Sequence, residues 1–202
     1  MKGLFIVFEG IDGAGLTTHA GLTEKYLLKK GFKVVLTKEP TDGLIGGLIR
    51  AALRGEWDPE PETLQLLFAA DRSRHVSAVI KPALERGMVV ISDRYMFSSL
   101  AYGSLQCDYE WLKMINSIFP VPDLTFVLDL EPEEAVKRIK EARFEVELFE
   151  EVEKLSRVRE TYMRIAEEYE NIYVIKTDDE ISEVQNEIER TIEVYLSKKR
   201  RA

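Results

Sequence analysis

Short apolar runs alternate along this chain with longer stretches in which apolar side chains recur at helical spacing. The runs are Leu4–Phe8, Val34–Thr37, Val89–Ser92, Thr125–Leu130 and Ile172–Ile175. Most are rich in β-branched or aromatic residues and show little polar alternation, as parallel strands buried on both faces do. Apolar residues at i, i+3 and i+4 predict helices over roughly Gly15–Lys30, Ile45–Leu53, Pro61–Arg86, Glu133–Ala142, Leu148–Tyr169 and Ile181–Leu196. Strands alternating with helices imply right-handed crossovers that cover both faces of a parallel sheet. The expected architecture is α/β: a three-layer α/β/α sandwich around a five-stranded parallel sheet.

The punctuation agrees with this pattern. Gly31 and Gly87 each follow a helical stretch as C-terminal caps, and Pro120, Val121, Pro122 and Asp123 break the chain before the fourth strand. There is no internal repeat or linker, so residues 1–202 are read as one domain, a length that supports a sizeable core. A formal net charge of -8 argues against a nucleic-acid polymer as partner, because duplex binders present a basic footprint. The basic run Lys198–Arg201 is read as a solvated helix end, where cations suit the dipole.

The apolar run at the start stops at Glu9, which fits a buried first strand better than a signal peptide. No stretch reaches the ~20 apolar residues that span a bilayer. One cysteine, Cys107, excludes an internal disulfide and fits a reducing compartment. A cytoplasmic location without membrane contact is therefore expected.

Chemistry enters with Gly10-Ile11-Asp12-Gly13-Ala14-Gly15-Leu16-Thr17-Thr18, which follows the first strand and opens the first helix. That is the context of a phosphate-binding P-loop. Glycines let successive N–H groups converge on phosphate oxygens, and the helix N-terminus adds positive dipole. The fold expected around such a loop is that of the P-loop NTPases, with Thr17 placed to offer its hydroxyl to Mg²⁺. Leu16 stands where this motif carries a lysine against the β- and γ-phosphates. At ~4 Å and an effective dielectric of ~20 that contact is on the order of 4 kcal/mol before desolvation, and leucine supplies none of it. Three readings stay open: a natural paralogue weakened in ATP use, a disabled variant, or a chain that borrows a cation from elsewhere.

The second constellation is Asp93-Arg94-Tyr95, directly after the third apolar run. A carboxylate at the C-terminal end of a parallel strand lies in the crevice where open α/β sheets bind ligands. There Asp93 suits a Mg²⁺ ion, and Arg94 a bidentate grip on phosphate.

With FEGIDGAG, KEPTDG, LFAADRSRH, SDRYMFSSLAY and PDLTFVLDL in order, essentially the whole chain resembles the thymidylate kinases, especially their archaeal and bacterial forms. The resemblance implies transfer of the γ-phosphoryl of Mg·ATP to dTMP by a homodimeric enzyme. It assigns Asp12 to the acceptor's sugar and phosphate, and Glu39 and Pro40 to positioning the monophosphate. Arg50 and Arg94 would contact the acceptor phosphate. Phe68 would stack on thymine, Arg72 reach its carbonyl edge, and Ser98 and Tyr102 line the base and sugar pocket. An aromatic and an arginine four residues apart share a helical face, so that pair suits a pyrimidine's π-face and polar edge.

The segment around residues 138–150 corresponds to the lid that closes over the reaction. The loop positions Ile11 to Ala14 hold no arginine, so the chain resembles the members that supply a catalytic arginine from the lid, with Arg143 first and Arg138 second. Besides Leu16, His19 and Gly103 stand where the family usually has glutamine. The second of these bears on base selectivity. Two rivals remain at this point: a nucleotide-binding paralogue without catalysis, and a kinase for another nucleoside monophosphate.

Overall fold

The computed structural model describes residues 3–142 and 148–199, with backbone alone at 140–142 and 148–150. Five parallel strands form one sheet in the order β2-β3-β1-β4-β5: β1 (Leu4–Gly10), β2 (Val34–Lys38), β3 (Val89–Asp93), β4 (Leu124–Asp129) and β5 (Ile172–Lys176). Every residue of β1 is buried, as its unbroken apolar run requires. Helix α1 (Leu16–Lys29) turns Leu16, Ala20, Thr23 and Leu27 inward, a stripe of helical period, and packs on β1, β2 and β3. Helix α9 (Ile181–Lys199) lies beside it and buries Val184, Ile188 and Ile192. The α/β expectation therefore holds.

Register decides where chemistry gathers. Phe8 of β1 and Lys38 of β2 both pair with Asp93 of β3, so three strands end together beneath the Gly10–Gly15 turn. Since β1 lies between β3 and β4, successive crossovers part on either side of it, and a crevice opens at its C-terminal end.

Two departures from the sequence reading have physical causes. The stretch Pro61–Arg86 is not one helix but α3 (Pro61–His75), a π-helical turn at Val76–Ile80, and α4 (Lys81–Glu85). Pro82 brings no N–H to the ladder, and Lys81 N–H reaches the Val76 carbonyl five residues back. Two helices were not foreseen between β3 and β4. Helix α5 (Met96–Gly103) is buried around most of its circumference and so carries little amphipathic period. Helix α6 (Tyr109–Asn116) begins where the Asp108 side chain accepts the Trp111 N–H at 2.8 Å. The other helices are α2 (Leu44–Leu53), α7 (Pro132–Ala142) and α8 (Leu148–Glu168).

Candidate functional site

The glycine turn between β1 and α1 is built as a phosphate cradle. Gly15 caps α1 from the left-handed region, at φ 92°, where other residues are strained. At Gly10 a Cβ would sit 2.5 Å from the Leu128 carbonyl oxygen, so the loop approaches β4 only because that position has no side chain. Thr17 donates its hydroxyl to Asp93 Oδ2 at 2.5 Å, which brings two oxygens to the mouth of the cradle. Ile11, Asp12, Gly13, Gly15, Leu16, Thr17 and Thr18 border a cavity of about 440 Å³ together with Lys38, Glu39, Asp93, Arg94 and Arg138. Ala14 is buried beneath the loop.

Leu16 itself is buried and belongs to the hydrophobic core, so its side chain brings no polar group to the cavity. Three described cations border that cavity. Arg94 is held by the loop, and Arg138 donates to the Thr177 carbonyl at 3.1 Å. Among the described residues Lys38 pairs only with the exposed Asp42, at 3.4 Å. Arg143 lies outside the described residues.

A second cavity, of about 280 Å³, opens on the other side of Arg94 between α3 and α5. Asp12, Glu39, Pro40, Phe68, Arg72, Arg94, Ser98 and Tyr102 all border it, so the sequence-predicted acceptor residues converge from distant segments. Arg50 does not: its guanidinium donates to the backbone carbonyls of Pro40 and Thr41, bracing the turn after β2. The Glu39–Pro40 peptide in that turn is cis.

Arg94 joins the two cavities. It donates to the Gly10 carbonyl at 3.0 Å, to Ser98 Oγ at 3.1 Å and to Asp12 Oδ1 at 2.6 Å, and it lies over the Tyr102 ring at 5.3 Å. The Tyr102 hydroxyl in turn accepts the Asp12 N–H at 2.9 Å. Beneath this cluster Glu9 is fully buried. Its carboxylate accepts the N–H groups of Tyr95 and Ser98 at 3.0 and 3.2 Å and the hydroxyls of Ser98 and Tyr162 at 2.6 and 3.0 Å. Burial pushes its pKa up to about 7, against the pull of the Ser98 hydroxyl and the Arg94 charge. Glu9 thus fixes the start of α5 and, through Ser98, the guanidinium of Arg94.

Arg72 is also wholly buried, and every nitrogen of its guanidinium is occupied. Nε and Nη2 reach Glu39 Oε2 at 2.9 and 2.8 Å, and Nη2 also donates to the Tyr95 carbonyl at 3.0 Å. Nη1 donates to Asn116 Oδ1 and to Ser99 Oγ. Glu39 Oε1 meets His75 Nδ1 at 2.9 Å, and His75 Nε2 meets Thr37 Oγ1 at 2.8 Å. This network ties β2, α3 and α5 together under the cavity floor. His19 is likewise structural, paired with Gln185 Oε1 at 3.1 Å inside the α1–α9 contact. Cys107 is a free thiol, and burial raises its pKa, away from the thiolate that a nucleophile needs.

Sequence reasoning missed Lys38, which enters the loop cavity through strand register, and Gln65 and Lys154, which enter the second cavity from α3 and α8; Arg138, the second lid candidate, borders the loop cavity. Gln65 sits three residues before Phe68, a helical spacing that gave a usable signal.

Known proteins echo this arrangement. A family profile described as thymidylate kinase matches residues 8–188. A probable thymidylate kinase of Thermococcus gammatolerans is 44% identical over 200 residues, covering 95% of this chain and 96% of that protein. One from Thermococcus kodakarensis is 43% identical over 202 residues, covering 96% and 98%. Among solved structures, the thymidylate kinase of Ehrlichia chaffeensis superposes with a TM-score of 0.78 at 28% identity, over 95% of this chain and 100% of that one.

Proposed function

This chain belongs to the thymidylate kinase family, and from that premise we propose how its crevice carries out the family's reaction. It is a phosphotransferase that moves a phosphoryl group from ATP to dTMP. The observation that carries the reading is that the loop cavity and the α3–α5 cavity adjoin and share Asp12, Glu39 and Arg94. A donor held over the glycine loop and a monophosphate held from the other side would meet at Arg94. The acceptor's phosphate oxygen attacks the γ-phosphorus in line, the bond to the β-bridging oxygen breaks, and ADP leaves.

In this proposal the loop N–H groups and the α1 dipole hold the donor phosphates. Arg94, oriented by Asp12, Ser98 and Glu9, grips the acceptor phosphate, and Phe68 and Tyr102 border the nucleoside. Arg50 serves the acceptor by fixing the Pro40–Thr41 backbone rather than by touching phosphate. Thr17 and Asp93 suit Mg²⁺, since their paired oxygens are hard donors at the cavity mouth. Bound there, the ion would neutralise charge on the transferring group. Arg143 remains the lid arginine of the proposal, with Arg138 already at the cavity border.

The missing lysine has a candidate replacement. Lys38 ends β2 beside Asp93, borders the loop cavity, and is the least committed of the three described cations there. We assign it the donor-side charge that Leu16 lacks, which favours the borrowed cation among the three readings of the loop. The protein is also proposed to act as one cytoplasmic domain in a homodimer. Leu44, Leu48 and Leu53 of α2 and Leu66 of α3 are exposed apolar residues on two helices packed together, which supports a second copy there. A monomer by light scattering would count against that last point.

The functional test is coupled ADP release with ATP, Mg²⁺ and a panel of nucleoside monophosphates. ADP release that depends on dTMP and prefers it supports the reading. Release independent of dTMP, or a clear preference for another acceptor, contradicts it.

A further inference from the structure

Arg94 meets more negative charge than one guanidinium balances. Before any ligand arrives, its Nη2 lies 2.6 Å from Asp12 Oδ1, and its Nη1 reaches Ser98 Oγ, which in turn donates to Glu9 Oε2. Two carboxylates thus attract one cation. A nucleoside monophosphate carries close to two negative charges at neutral pH, so seating it on Arg94 adds to that excess.

The other charged and titratable groups around Glu9 do not relieve it. Arg72 of α3 is paired with Glu39. The phenols of Tyr162 on α8 and Tyr102 on α5 stay neutral, because burial raises both pKa values above the usual range. On the neighbouring strands, Asp93 of β3 accepts the Thr17 hydroxyl, and Asp129 of β4 is bridged by Arg159. Asp12 is 57% exposed, so water screens its charge. Glu9 has no such screen, and burial already holds its pKa at about 7.

The hydrogen-bond geometry has a place for an added proton. Glu9 Oε2, Ser98 Oγ and Tyr162 Oη form a triangle with sides of 2.6, 3.0 and 3.0 Å. Each side is a hydrogen-bond distance, yet with Glu9 ionised only the two hydroxyl hydrogens serve the three sides. A proton on Oε2 supplies the third: Glu9 donates to Ser98, Ser98 to Tyr162, and Tyr162 back to the carboxyl. Ser98 Oγ keeps a lone pair for Arg94 Nη1, 3.1 Å away. Ser98 also borders the acceptor cavity, which gives the proton a way in from solvent.

We propose that Glu9 takes up a proton from solvent when an acceptor monophosphate seats on Arg94, so that the buried network sheds negative charge as the phosphate brings it. Glu9 is then a positioning residue that acts on the phosphate through Ser98 and Arg94. Ionised, it shares the guanidinium's charge with Asp12; neutral, it leaves that charge to the phosphate. The inference rests on the reading of Arg94 as the grip on the acceptor phosphate. Its sign follows from linkage: a ligand that binds with a proton binds more weakly as pH rises.

The test is calorimetric titration of dTMP alone into the protein near pH 7.5, in two phosphate-free buffers of different ionisation enthalpy, which counts the protons exchanged. The parent should take up about 0.3 to 0.5 proton per dTMP, as expected if the phosphate raises a pKa of about 7 by about 1. Between about pH 6.5 and 8.5 its affinity for dTMP should fall about 5-fold. Thymidine, which lacks the phosphate, should bind without uptake. Glu9→Gln keeps the side chain's shape but cannot titrate; it should bind dTMP without uptake and with affinity constant to within about 2-fold over the same range. A parent that binds dTMP without proton uptake overturns the proposal and leaves the kinase reading intact. Uptake that persists in Glu9→Gln assigns the proton to another group, and equal uptake with thymidine breaks the link to phosphate; either result overturns the proposal. A parent that binds no dTMP at all removes the kinase reading and this inference with it.

Discussion

The two sides of the crevice are built on opposite plans. On the acceptor side, side chains from β1, β2, α3 and α5 interlock in buried networks: Glu9 with Ser98, Tyr95 and Tyr162, and Arg72 with Glu39, Ser99 and Asn116. On the donor side the cradle is mostly backbone, Leu16 turns into the core, and among the described residues Lys38 meets only an exposed aspartate. A preorganised site loses little freedom when its ligand arrives, whereas a site of loosely held charge must order its cation on binding. The difference places recognition with the acceptor and makes the donor's hold the weak point of the molecule.

Arg94 belongs to both halves, so its loss is the most severe test of the comparison. Arg94→Ala should lower kcat/KM about 1000-fold, on the scale of a charged group that stabilises the transferring phosphoryl, with the fold retained by circular dichroism. A loss under about 10-fold would mean that the halves do not meet at this residue.

The acceptor network should also reveal itself through pH. The folded-state pKa of Glu9, about 7, lies above the 4.5 of an ordinary glutamate, so folding takes up a proton between those limits. Stability from this group is full below the lower value and falls as pH rises through the upper one. The change is up to about 3 kcal/mol, since each pH unit is worth about 1.4. Chemical denaturation at pH 5, 6, 7 and 8 should show that decline, and Glu9→Gln should flatten it. An unchanged slope in the variant would show that the buried carboxylate is not the titrating group.

On the donor side the expected changes are smaller and run both ways. Leu16→Lys should raise kcat/KM for ATP about 10- to 100-fold, part of the gain from a phosphate-bound ammonium being spent on desolvating it. Lys38→Met should weaken ATP about 10-fold and leave dTMP binding unchanged, with Lys38→Arg close to the parent. In the Leu16→Lys background the Lys38 effect should shrink, because the two cations would serve the same phosphates. Additive effects would separate Lys38 from the lost lysine.

The contrast between the two sides also explains what could be read from the chain. The strands and the phosphate loop announce themselves locally, through unbroken apolar runs and glycine spacing. Phe68, Arg72, Arg94, Ser98 and Tyr102 lie within short motifs, and the fold brings them to one cavity. Helix α5 was hidden because burial erased its polar face, and the π turn because one proline's missing N–H acts within a helical pattern. Lys38 and Gln65 depend on partners in other elements, β3 for one and α5 for the other. Arg50 shows the same limit from the other side: its spacing suited a phosphate contact, yet a neighbouring turn claims its guanidinium. Such pairings become visible only when strand register and helix packing are known.

The most direct test of a prepared acceptor half beside a charge-poor donor half is to titrate each nucleotide alone into the protein by calorimetry, at fixed Mg²⁺ and ionic strength. The account predicts that dTMP binds at least about 10-fold more tightly than ATP, a gap of about 1.4 kcal/mol, and that Leu16→Lys narrows it from the ATP side only. ATP binding more tightly than dTMP in the parent protein would contradict it.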